Sequence, residues 1–82
     1  MKVQKTGTSC VRGEEISYWL TEGLSQLGVT TYGIVVERKG ERTEYRNLSS
    51  SCQEVLKLLE TLARCGVTPV TVSDVVEDWL LR

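Results

Sequence analysis

The chain has 82 residues, is 40% hydrophobic and 26% charged, and balances ten basic against eleven acidic side chains for a net charge of -1. Such a length means one domain with a small core, and such a composition means a globular chain rather than a disordered one. The near-neutral charge argues against a polyanion-binding domain. No apolar run approaches the roughly 18 residues of a membrane span. The absence of histidine removes Ser-His-Asp and Cys-His catalysis and histidine-bearing zinc sites.

Residues 1–13 show no hydrophobic period and carry Lys2, Lys5 and Arg12 among Gly, Thr and Ser. They read as a mobile N-terminal arm before a single domain over 14–82, with a short added strand at Lys2–Thr6 as the alternative. Met1–Cys10 has no hydrophobic leader, so the cytoplasm is the expected location.

Residues 15–25 fit two periods. Ile16, Leu20, Leu24 and Leu27 recur with helical spacing, whereas Ile16, Tyr18 and Leu20 alternate as in a strand. The next two segments, 29–37 and 41–48, are strands joined by a two-residue loop at Lys39-Gly40. That loop pairs Val36 with Thr43, Ile34 with Tyr45, Tyr32 with Asn47 and Glu37 with Arg42. A three-residue loop at Gln26-Leu27-Gly28 would then set Leu20 opposite Ile34 and Tyr18 opposite Val36. Both loops bring apolar residues to one face, which favours strand for 15–25. On the other face Trp19 falls opposite Val35 among polar residues, and such a pair wants a cover: the N-terminal arm, or a second copy of the chain.

Ser51-Cys-Gln-Glu54 is a capping box. It opens a helix whose apolar arc holds Val55, Leu56, Leu58, Leu59, Leu62, Ala63 and Cys65 and which stops at Gly66. Cys52 and Cys65 stand at its two ends, about 20 Å apart at 1.5 Å per residue, beyond disulfide reach. With Cys10 they make three thiols, expected to stay reduced. After Pro69 a second helix is capped by Thr71, or alternatively by Ser73, and buries Val72, Val75, Val76, Trp79 and Leu80. Asp74, Glu77 and Asp78 face water, and Leu81 points away from the stripe. The whole is an α+β domain: a three-stranded antiparallel β-meander followed by two helices packed on one face (β-β-β-α-α).

Tyr32-Gly-Ile34, Val67-Thr-Pro-Val70 and Asp74-Val-Val-Glu-Asp78 resemble, over roughly residues 17–80, a family of small bacterial proteins of unknown function. Its members carry a Y-G-I strand motif and a C-terminal V-S-P-x-H-x-x-D-V-V-E-D-like segment. Where members often have histidine, this chain has Thr71 or Val72, so a histidine-based role cannot hold here. The resemblance implies a soluble cytoplasmic protein and brings no activity with it.

No constellation in the chain carries chemistry. Three scattered cysteines without a C-x-x-C do not make a zinc site, and three carboxylates on one short helix cannot surround a cation. The expectation is a non-enzymatic interaction module with no cofactor, binding a protein partner or a second copy of itself. The candidate surface is Trp19, Val35, Leu81, Asp74, Glu77 and Asp78. A nucleic-acid-associated regulator using the Arg38–Arg46 hairpin is the alternative, weakened because Glu37, Glu41 and Glu44 cancel most of the basic field.

Overall fold

The computed structural model describes residues 2–81. The element order is β1 (Lys2–Val11), β2 (Glu14–Leu24), β3 (Thr30–Arg38), β4 (Glu41–Ser49), α1 (Cys52–Cys65) and α2 (Val72–Leu80). The strands form one antiparallel sheet in chain order. The α+β class and the antiparallel meander followed by two helices are as expected, but the sheet has four strands, not three.

The added strand lies in the segment read as an arm, and a bulge explains why its pattern was hidden. Lys5 pairs with Trp19, but Gly7 pairs with Tyr18, leaving Thr6 as the extra residue. Val3 and Lys5 therefore share the face of Trp19, while Gly7, Ser9 and Val11 share the face of Tyr18 and Ile16. No single period of two survives across such a strand. The bulged Thr6 is held by its hydroxyl, which donates to the Tyr18 carbonyl at 3.1 Å. Arg12 (φ 53°) and Gly13 (φ 80°) make the two-residue turn to β2, both with the positive φ of a type I′ hairpin.

The β2–β3 register is as the loops require: Tyr18 meets Val36, Trp19 meets Val35 and Leu20 meets Ile34. The three-residue loop closes with the Ser25 N–H donating to the Val29 carbonyl at 2.8 Å. Between β3 and β4 the pairs Glu37 with Arg42, Val36 with Thr43 and Ile34 with Tyr45 also hold, but Tyr32 faces Ser49 rather than Asn47. A second bulge intervenes, with Asn47 at φ 55°. It explains Gly33. A Cβ there would lie 2.1 Å from the Tyr45 carbonyl oxygen and 2.9 Å from the Cα of Arg46, so only glycine lets the bulged strand close on β3.

Both helices pack on the face carrying Ile16, Tyr18, Leu20, Ile34 and Val36, against which α1 buries Val55, Leu58, Leu59 and Leu62 and α2 buries Val72 and Val76. The Ser51 hydroxyl accepts from the Glu54 N–H. The Ser51 N–H, however, donates to the hydroxyl of Ser49 at 3.0 Å, the position the capping box assigns to Glu54. Gly66 (φ 65°) ends α1: its N–H reaches the Ala63 carbonyl and that of Val67 reaches Leu62, a Schellman motif. Cys65, read as core, is exposed, as is Leu80. Each sits at the last turn of its helix, beyond the edge of the packed stripe.

The cap of α2 also moves. Thr71 makes no capping bond to the helix with its side chain. Instead the Thr68 hydroxyl accepts from the Thr71 N–H and the Thr71 hydroxyl accepts from the Thr68 N–H, while the Val72 N–H reaches the Thr68 carbonyl at 2.9 Å. Thr68 and Thr71 thus bond each other reciprocally, as the two ends of a capping box do, across the turn that leads into α2. Two sheet residues fix this connector: the Tyr18 hydroxyl donates to the Val67 carbonyl at 2.7 Å, and the Thr43 hydroxyl donates to the Pro69 carbonyl at 2.9 Å.

Candidate functional site

The side chains pointing away from the helices define a face that no element of the described residues covers. Its central row crosses all four strands: Lys5 opposite Trp19, Trp19 opposite Val35, and Val35 opposite Glu44. The Lys5 ammonium lies 5.8 Å from the centroid of the Trp19 ring, within cation–π range. Val35 is only 2% exposed. Trp19 stays half-buried. Between them Val3, Trp19, Val35, Glu37 and Arg42 line a hollow of about 130 Å³.

Part of the cover expected for Trp19 therefore comes from β1, through Lys5 and Val3. Neither belongs to the surface expected from sequence. The sequence signal for Lys5 is its place in a segment that can add a strand, but the bulge at Thr6 conceals which face it takes.

The charges at the β4 end form a chain. The Arg46 Nε donates to Glu44 Oε1 at 2.6 Å, and Arg42 bonds Glu44 at 3.3 Å and lies 3.9 Å from Glu37. The bond from Arg46 first, then the proximity of its charge and the bond from Arg42, holds the Glu44 carboxyl below the usual glutamate range. Arg38 is bonded to Glu41 and lies 3.6 Å from Glu14. The three arginines of the Arg38–Arg46 hairpin are all engaged by carboxylates, which leaves a weak field for phosphate.

The remaining candidates lie elsewhere. Asp74, Glu77 and Leu81 are exposed on or just beyond α2, and Asp78 lines a shallow groove with Lys57, Val75 and Trp79 between the helices. Because α2 packs on the opposite side of the sheet, the structure does not bring these residues together with Trp19 and Val35. Among the described residues no group of three or more His, Cys, Asp or Glu side chains is placed to hold a metal ion. A hollow of about 480 Å³ lies at the end of the sheet near the β2–β3 loop, where Glu22 accompanies Lys2 and Arg46 in its lining. No helix among the described residues is long and apolar enough to cross a membrane.

The chain matches DUF6514, a family of unknown function, over residues 2–82, and it belongs to that family. No curated protein and no solved structure matches it.

Proposed function

We propose that this domain is a non-enzymatic protein-interaction module that associates with itself through the open face of its sheet. The observation that carries the reading is the central row of that face, where a half-buried tryptophan lies between a lysine and a buried valine. A large aromatic in a polar surround is the kind of anchor that interfaces use, and a core this small gains from a partner. The lack of histidine supports a role without catalysis, and the three free thiols fit a reducing compartment such as the cytoplasm. Solution mass of the purified protein, measured across concentration and repeated with Trp19→Ser, tests the reading. A mass above that of the monomer is expected for the native chain and its loss is expected in the variant. A strict monomer at high concentration, with the Trp19 fluorescence fully quenched by an aqueous quencher, would overturn it.

A further inference from the structure

The central row ends on Lys5 of β1 and on Glu44 of β4, whose carboxylate is also held by Arg42 and Arg46, with Trp19 and Val35 between them. From this asymmetry we infer the partner and its orientation, an inference that rests on the self-association proposed above. The occupant of the open face is a second copy of this chain, placed face to face by a two-fold axis that runs parallel to the strands, midway between β2 and β3.

Such an axis lays β1 of one copy across β4 of the other and β2 across β3. Lys5 of each copy then stands over Glu44 of its mate, and Trp19 over Val35, each contact occurring twice, as isologous symmetry demands. Aligned sheets stack about 10 Å apart, a gap that lysine and glutamate side chains span together. The row next to it agrees. Thr8, Ser17, Glu37 and Arg42 follow one another across the strands, so Arg42 meets the mate's Thr8 and Glu37 meets its Ser17. No like charges face each other in either row. A two-fold axis perpendicular to the strands, along this row, would instead lay β1 antiparallel on β1 and oppose Lys5 to Lys5 and Glu44 to Glu44.

Charge reversal tests this arrangement. Lys5→Glu alone and Glu44→Lys alone each place like charges at both symmetric contacts, and each is expected to weaken the dimer by about tenfold or more. Mixing the two variants makes both contacts of the mixed dimer attractive, so a one-to-one mixture recovers a dimer that neither forms alone. Thermal unfolding of each variant checks that it is folded. Should Glu44→Lys fail that check because of the adjacent Arg42 and Arg46, Lys5→Gln is used instead; it is expected to weaken the dimer and to remove most of the salt dependence of its dissociation. A mixture no more dimeric than its components, or unchanged salt dependence in Lys5→Gln, overturns the arrangement. If the native chain dimerises and Trp19→Ser disrupts it while the charge variants do not, only this orientation falls. If the native chain is a monomer throughout, the self-association reading falls with it.

Discussion

The hydroxyl of Tyr18, at the centre of the sheet, donates to the carbonyl of Val67, in the connector between the two helices, at 2.7 Å. The ring is fully buried, and burial raises the pKa of its hydroxyl above the ordinary tyrosine value, with a bond to the Ser9 side chain acting in the opposite direction. A group whose pKa is raised on folding contributes stability that is present below its unfolded pKa, about 10, and lost as the pH climbs through the folded value. Tyr18→Phe removes both the bond and the titration. It is expected to cost about 1 kcal/mol at neutral pH and to lose less stability than the native chain between neutrality and about pH 11. Urea denaturation at a series of pH values measures both effects. Tyr32, also raised chiefly by burial, titrates in both proteins, so the difference between them isolates Tyr18.

Gly33→Ala is expected to be the most damaging single-methyl change in the molecule. Its Cβ would collide with the Tyr45 carbonyl, the Thr21 hydroxyl and the Arg46 backbone, so the bulge in β4 must shift, at about 3 kcal/mol. Gly40→Ala is the control: its φ of 79° makes alanine strained but nothing lies within 4 Å, and about 1 kcal/mol is expected. Denaturant midpoints for the two variants give the comparison.

Thr68→Ala is expected to destabilise the protein by about 1 kcal/mol by removing the hydroxyl half of the reciprocal bonds between Thr68 and Thr71. Thr68→Ser keeps the hydroxyl and should restore most of that loss. Equal losses in both variants would mean that the threonine methyl, not the hydroxyl, matters there. Chemical denaturation distinguishes the cases.

Glu44 has its folded pKa lowered by Arg46 and Arg42. Its contribution is therefore present above the ordinary glutamate pKa and lost as the pH falls through the folded value. Glu44→Gln is expected to flatten the acid limb of the stability profile, measured at concentrations where only the monomer is present so that association does not enter.

Most of β2, β3 and β4 was legible because two short loops fix register, and Gln26-Leu27-Gly28 and Lys39-Gly40 agreed on which residues face the helices. What escaped notice lies at irregularities. The bulge at Thr6 reverses the faces of β1 halfway along, so Lys5 could not be placed beside Trp19 from alternation. The bulge before Asn47 moves Tyr32 to Ser49, and Gly33 was visible as part of a motif without the steric reason for it. The reciprocal bonds of Thr68 and Thr71 lie in the turn before α2, one step ahead of the cap that the spacing assigns to Thr71. Of the candidate surface, the facing of Trp19 and Val35 was legible from register. The position of α2 on the opposite side was implicit in packing both helices on one face, and it separates Asp74, Glu77, Asp78 and Leu81 from that pair.

Strand order that follows chain order also sets a sequence of events in time. Each hairpin can close as soon as its second strand exists, since every pairing joins neighbours along the chain. The sheet formed this way presents Ile16, Tyr18, Leu20, Ile34 and Val36 bare to water until residues 52–80 arrive to cover them. Without residues 52–80 the four-stranded sheet would be apolar on the side that is the interior of the complete fold.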